Sequence, residues 1–142
     1  MRARSNRGRR ASVACMTSAA TVAITLFGAT IVFQILLALG VPWGAAAWGG
    51  QHPGVLPAGY RVASAVSGIV VFPLLMLYVI DSAELADISW LPGSGAAAMW
   101  VLFGFFVLGT IMNAASRSRI ERIWAPVNLI LAICCLVIAL NA

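Results

Sequence analysis

The candidate residues for binding or catalysis fall into two short polar segments. The first, WGGQHPGVLPAGYR at 48–61, holds the only histidine, His52, together with Tyr60 and Arg61. The second, NAASRSRIER at 113–122, holds three of the four arginines outside the amino-terminal tail. Its candidate residues are Asn113, Ser116, Arg117, Ser118, Arg119, Glu121 and Arg122. Because a guanidinium donates parallel hydrogen bonds to phosphate or carboxylate, the pattern favours binding of an anion.

Catalysis has weak support among the same residues. His52 has the chemistry of a general base, but a lone histidine before proline in a glycine-rich loop is more often structural. Ser116 and Ser118 have no evident His–carboxylate relay, and there is no metal-ligand spacing, phosphate-cradling motif, dinucleotide fingerprint or HExxH. We therefore predict a non-enzymatic protein without catalytic residues, metal or cofactor.

The composition predicts that these segments are held by a membrane protein. The chain has 142 residues, of which 62% are hydrophobic and 9% charged, whereas soluble domains carry about 25% charged residues. Four segments without charge, at about 16–40, 62–80, 95–115 and 124–141, have the length needed to cross the hydrocarbon as helices. The predicted fold is all-α, an integral membrane four-helix bundle with a long non-regular first loop.

The charge distribution predicts an orientation. Residues 1–15 are expected to form a basic, disordered cytoplasmic tail before the transmembrane domain at 16–142. Five arginines in this tail account for the net charge of +5, and next to an apolar run they favour the cytoplasmic side rather than nucleic-acid binding. The expected location is a bacterial plasma membrane with both termini cytoplasmic. With five arginines on the inside and four on the outside, the charge difference between the two sides is small, so an inverted topology stays open.

An even number of spans places the first and third loops on one face of the membrane. The 41–61 loop is rich in Gly and Pro, and it is expected to be an interfacial loop anchored by its tryptophans. The alternative is a loop that folds over the bundle end as a lid. Arg61 is then positioned to complete the arginine cluster of the third loop.

The third loop contains a signal for the start of the last helix. Ser118 and Glu121 match the S-x-x-E capping box, in which each side chain accepts from the backbone N–H of the other residue. The arginines have two readings: a solvated hairpin whose side chains snorkel to lipid phosphates, or a cluster that binds a specific anion.

Two features inside the spans carry structural predictions. Thr17, Thr21 and Thr25 recur every four residues, and such a stripe is expected to line a helix–helix interface. Pro73 lies near the middle of the second span and is expected to kink it, because proline cannot donate a helical hydrogen bond.

Both polar segments also carry a resemblance. WGGQHPGVLPAGYRVAS and MNAASRSRIERIWAPV resemble segments of small four-span integral membrane proteins of high-GC Gram-positive bacteria. In these proteins an HPGVLP-type first loop accompanies an N-x-x-S-R-S-x-x-E-R-x-x-W-x-P motif. The similarity extends over nearly all of the chain after the tail and implies the architecture, while no known activity comes with it.

Three classes of function follow. The first is a binding or accessory protein whose first and third loops form an arginine-rich face for anionic lipid headgroups or a partner membrane protein. The second is a small oligomeric transporter or channel, and the third is a membrane enzyme acting on a lipid-linked anion. The spans hold no charged residue of the kind that usually marks transport or chemistry, which favours the first class. The expected partners are the bilayer, its anionic headgroups, and a second membrane protein or another copy of the chain.

Overall fold

The computed structural model describes residues 2–142, with side chains from residue 8 onward. The described part of the chain is all-helical, which confirms the predicted fold class. Short 3-10 turns lie at Gly44–Ala46, Trp48–Gly50 and Glu121–Ile123. The longer elements are α1 (Arg2–Leu39), α2 (Ala58–Val66), a π-helical segment (Ser67–Val71), α3 (Phe72–Ser82), α4 (Ala96–Ala114) and α5 (Trp124–Ala139).

Within the described residues, four helices are long and apolar enough to cross a membrane. They are Gly8–Leu39, Ala58–Ser82, Ala96–Ala114 and Glu121–Ala139, so α2, the π-helical segment and α3 together form the second span. Hydrocarbon offers no hydrogen-bond partners, and a helix satisfies its backbone groups within its own segment. The chain is a multi-pass membrane protein, and the boundaries of its spans lie within a few residues of the predicted ones except at the start of the first span.

The first helix is longer than predicted. We expected residues 1–15 to be a disordered tail, but α1 begins at Arg2; residue 1 lies outside the described residues. The difference has a local cause, because Arg and Ala are strong helix formers and the chain has no proline before Pro42. The basic segment therefore extends the first span.

All four spans contribute to one apolar core. Phe27 of α1 lies between Phe72 of α3 and Phe106 of α4, with ring centroids 6.4 and 5.7 Å apart. From α5, Leu131 and Cys135 are buried in the same cluster. Since lipid is as apolar as this core, close packing rather than exclusion of water must hold the helices together.

The second span is irregular where proline predicts it to be. Pro73 cannot donate a backbone hydrogen bond, and the π-helical segment Ser67–Val71 lies directly before α3. Gly68, within this segment, lies so close to α1 that a Cβ atom there would be 3.1 Å from the Cβ of Gln34 and 3.3 Å from the carbonyl oxygen of Ile31. The irregular segment is therefore also a point of close helix contact.

The threonine stripe of α1 does not line the interface that we predicted. Thr17, Thr21 and Thr25 are all exposed on the outside of the bundle. The hydroxyl of Thr21 donates to the carbonyl of Thr17, and that of Thr25 to the carbonyl of Thr21, both four residues back. Because this bond satisfies each hydroxyl within α1, the stripe needs no partner helix.

Gly68→Leu is expected to lower the stability of the bundle. A side chain at this position meets α1 at less than van der Waals distance, and overpacking of this kind costs about 1–3 kcal/mol. The measurement is the midpoint of thermal unfolding in detergent, followed by circular dichroism. Gly104→Leu on α4 is the matched control, because a Cβ atom there meets nothing within 4 Å. Equal midpoints for the two variants would contradict the close contact.

Candidate functional site

The loop between the first two spans covers one end of the bundle. In this segment, residues 40–57, which we call the cover loop, Ala46, Ala47 and Leu56 are buried. Ala47 and Leu56 form a small apolar cluster with Leu37 of α1. The loop therefore folds back over the helices, as in the lid alternative, and it also carries exposed tryptophans at Trp43 and Trp48.

The cover loop is locked to the connection between α4 and α5. This connection, residues 115–123, carries the three arginines and is called the arginine hairpin here. Side chains of the hairpin and of the first residue of α5 bind backbone groups of the cover loop. The Glu121 Oε1 accepts from the Gly49 N–H at 2.8 Å, the Ser118 hydroxyl donates to the Ala45 carbonyl at 2.6 Å, and the Trp124 Nε1–H donates to the Ala46 carbonyl at 2.8 Å.

Glu121 is the central residue of this junction. Its side chain is only 8% exposed, and its second carboxylate oxygen accepts from the hydroxyl of Ser116. A buried carboxylate without partners would be strongly destabilising, so both oxygens must be satisfied by protein groups. Glu121 obtains one partner from each of the two loops and thereby fixes their relative position.

The predicted capping box forms only in part. The Glu121 N–H donates to the Ser118 hydroxyl oxygen at 3.3 Å, as predicted. The reciprocal bond is replaced, because the Glu121 carboxylate binds Gly49 and Ser116, and the Ser118 N–H donates instead to the Ser116 hydroxyl oxygen at 3.2 Å. The helix also starts later than the capping box implies: a 3-10 turn at Glu121–Ile123 precedes α5.

Gly50 allows the two loops to approach. Its φ is +65°, in the left-handed region that favours glycine. A Cβ atom at this position would lie 2.3 Å from the Cβ of Ser118. The Gly49–Gly50 pair thus provides both an accessible N–H for Glu121 and room for the hairpin.

The arginines of the hairpin point away from this junction. Arg117, Arg119 and Arg122 are all exposed. The Arg122 Nε–H donates to the Ser116 carbonyl at 2.9 Å, which ties this side chain back to the hairpin. The hairpin therefore presents its guanidinium groups on a backbone that other contacts hold in place.

Arg61 is engaged at the end of the first helix. Its Nε–H donates to the carbonyl of Ala38 at 2.9 Å, and its guanidinium lies 3.5 Å from where a Cβ atom of Gly40 would be. The last carbonyls of a helix lack intrahelical partners, and a cation near them is favourable. We expected Arg61 to complete the arginine cluster; its contacts in the structure are with α1.

His52 of the cover loop and Tyr60 of α2 belong to one aromatic group. The His52 and Tyr60 rings lie 4.9 Å apart and the Trp48 and Tyr60 rings 5.7 Å apart. The Trp48 Nε1–H donates to the hydroxyl oxygen of Ser64 in α2 at 3.0 Å. These contacts give His52 a packing role, in agreement with its sequence context.

Asn113 lies apart from the arginines. It is in the last turn of α4, where its side-chain amide donates to the Gly109 carbonyl at 2.8 Å, and it lines a cavity beneath the cover loop. The structure thus divides the predicted residues into several groups. Ser116, Ser118 and Glu121 form the junction, and Arg117, Arg119 and Arg122 form an exposed arginine surface. Arg61 binds the end of α1, His52 and Tyr60 pack together, and Asn113 lines the cavity.

Sequence reasoning missed the residues of the cover loop that accept or donate through their backbone. Ala45, Ala46 and Gly49 have no side-chain chemistry to predict such a role. The available signals were Gly49–Gly50, which indicates a turn, and Trp124, whose N–H needs a partner when it is partly buried.

Among the described residues, no three His, Cys, Asp or Glu side chains are grouped so that they could hold a metal ion. No protein-family model, no curated protein and no solved structure matches the chain.

Glu121→Ala is expected to release the cover loop. The substitution leaves the Gly49 N–H and the Ser116 hydroxyl without their partner, and an unsatisfied buried group costs about 1–3 kcal/mol. Hydrogen exchange measured by mass spectrometry in nanodiscs should therefore increase across 44–50. Asp87→Ala is the control, because it removes an exposed carboxylate from the loop between the second and third spans. Unchanged exchange at 44–50 in the Glu121 variant would refute the junction.

Proposed function

We propose that the protein is a non-enzymatic membrane protein that binds anionic lipid headgroups through the arginine hairpin. The binding groups are the guanidinium groups of Arg117, Arg119 and Arg122, which match phosphate oxygens in planar geometry. The proposed location is the bacterial plasma membrane, with both termini in the cytoplasm and the hairpin on the outer face.

The observation that carries the proposal is an exposed cationic surface on a fixed backbone. Arg117 and Arg119 are exposed, while Ser118 between them and Glu121 after them are bonded to the cover loop. Fixing the backbone in advance reduces the entropy lost on binding. A hairpin that served only to connect two spans would not need the arginines.

The charge balance of this face supports the same proposal. Arg61 and the three hairpin arginines lie on it, against a single carboxylate, Glu121, which is buried. With the amino terminus inside, the hairpin arginines lie on the outer side of the membrane, whereas the charge rule for membrane insertion places basic residues on the cytoplasmic side. Their presence is explained if they bind an anion at the outer surface.

The contacts of the other polar residues favour a binding role over an enzymatic one. The ring of His52 packs against Tyr60, and both carboxylate oxygens of Glu121 accept hydrogen bonds from the protein. A general base needs to reach the proton that it removes. The groups best suited to acid–base chemistry are instead engaged in holding the cover loop and the hairpin together.

Replacing two arginines is expected to weaken retention of anionic lipid. For Arg117→Gln with Arg119→Gln, retention of phosphatidylglycerol in native mass spectrometry should fall by about five-fold for each charge removed, since one basic residue near a surface contributes about 1 kcal/mol. Arg9→Gln with Arg10→Gln is the matched control, because both residues are exposed at the opposite end of the bundle. An equal loss in the two double variants would show that lipid retention depends only on the total positive charge, and it would reject recognition by the hairpin.

The proposed orientation predicts which residues can be labelled from outside the cell. In a Cys15→Ser background, Arg119→Cys should react with a membrane-impermeant maleimide on intact cells. Asp87→Cys should react only after the cells are opened, because it lies on the opposite face. The remaining thiols, Cys134 and Cys135, are buried at 5% and 0% exposure and give little background. The reverse labelling pattern would show that the topology is inverted.

A further inference from the structure

A cavity of about 340 Å³ lies beneath the cover loop, inside the bundle. Its volume falls within the range of small-molecule sites, which begins near 300 Å³. Ala46, Ala47 and Trp48 of the cover loop close it above, and Phe106 and Leu131 belong to its deep wall. The cavity is distinct from the arginine surface, whose side chains are not part of its walls.

Three amides supply polar groups to this mostly apolar space: Gln34 of α1, Asn113 of α4 and Asn128 of α5. The Asn113 Nδ2–H donates to the Gly109 carbonyl and the Asn128 Nδ2–H to the Trp124 carbonyl, each at 2.8 Å. Each of these bonds uses one of the two N–H groups of the amide, so each asparagine still offers its oxygen as an acceptor and its second N–H as a donor.

Gln34 is the residue that points to a ligand. Its Oε1 is buried and has no hydrogen-bond partner in the described protein. An unsatisfied buried acceptor costs about 1–3 kcal/mol, and such groups are rare in folded proteins. Gln34 lines the cavity, and a donor from a molecule bound there would satisfy this oxygen once the side chain turns it toward the cavity.

The mouth of the cavity faces the lipid. Phe105, Leu108 and Met112 line it and are nevertheless 52%, 56% and 66% exposed on the outside of α4. The opposite wall consists of Ser67 and Phe72 of the second span. Since the cover loop closes the end of the bundle, the entrance lies between the second span and α4, where a molecule dissolved in the bilayer can enter.

The polar groups lie at a shallow depth in the membrane. Gln34 is five residues before the end of α1 at Leu39, which corresponds to about 7–8 Å along the helix. Asn113 is in the last turn of α4, and Asn128 is four residues after the start of α5. A lipid-like molecule would place its polar end at this depth and its apolar part deeper.

We propose that this cavity binds a neutral amphipathic molecule from the bilayer that carries a hydroxyl donor on an apolar body. The hydroxyl donates to the Oε1 of Gln34, and the apolar body lies among Phe72, Phe105 and Phe106. The walls contain no basic side chain, and the only acidic one, Glu121, is engaged by Gly49 and Ser116. A charged headgroup would have no partner there, and the site therefore selects a neutral one.

Photolabelling of the full chain in nanodiscs tests the proposal. The probe is a twelve-carbon alcohol with a diazirine near its methyl end, and the labelled peptides are mapped by mass spectrometry. We expect label in 67–72 and 105–112. Excess dodecanol should compete for this label, whereas dodecyl methyl ether should not, because it lacks the donor and retains the chain.

Two variants link the label to the cavity. Gln34→Met keeps the length of the side chain and removes the acceptor, so labelling should decrease about three- to ten-fold, as expected for one hydrogen bond. Leu108→Trp adds bulk at the lipid-exposed mouth, and we expect it to exclude the probe without disturbing the core. Thr25→Val is the control, because its hydroxyl bonds only within α1, on the outside of the bundle.

Each outcome of the labelling experiment either supports or overturns the proposal. Loss of label in the Gln34 and Leu108 variants, with thermal unfolding like that of the parent chain, would support it. Equal competition by the alcohol and the ether would overturn it, as would label spread over lipid-facing residues elsewhere. If Gln34→Met does not fold, the Leu108 variant and the competition pair still decide the outcome. The arginine variants should leave the label unchanged, which separates failure here from failure at the hairpin.

Discussion

The structure depends on one constraint: a peptide group next to hydrocarbon must find a partner within the protein. The helices meet this constraint within each segment, but the cover loop contains turns and glycines that cannot do so alone. Its carbonyls at Ala45 and Ala46 and its N–H at Gly49 are satisfied by side chains of the hairpin and α5. The non-helical loop is therefore stable at the bundle end only because the last connection of the chain lies beside it.

The same junction links structure to the proposed function. Glu121 is buried and bonded to both loops, and this fixes the backbone that carries Arg117 and Arg119. A mobile hairpin would lose more conformational entropy when it bound an anion. The junction also closes the space above the intramembrane cavity, so one set of hydrogen bonds holds in place both the exposed cationic surface and the loop that covers the cavity.

Side-chain types were a good guide where the requirement was local. Pro73 predicts an irregular second span, and the π-helical segment lies directly before it, because the missing N–H affects only nearby residues. The same reasoning was wrong for Thr17, Thr21 and Thr25, whose hydroxyls bond to their own helix. It was also incomplete for Arg61, which we predicted to complete the arginine cluster. Its partner is the carbonyl of Ala38 at the end of α1, which sequence spacing does not reveal.

The sequence by itself determined that the chain lies in a lipid bilayer, how many spans it has and that the two polar loops share one face. These follow from the length and polarity of continuous segments, which are properties of the chain taken in order. Only the tertiary structure decided how the polar residues are divided among junction, surface and cavity. Glu121 reaches Gly49 from 72 positions away, and Gln34, Asn113 and Asn128 converge from three helices. Such contacts depend on how the helices pack and on their rotation relative to one another, which no local sequence pattern specifies.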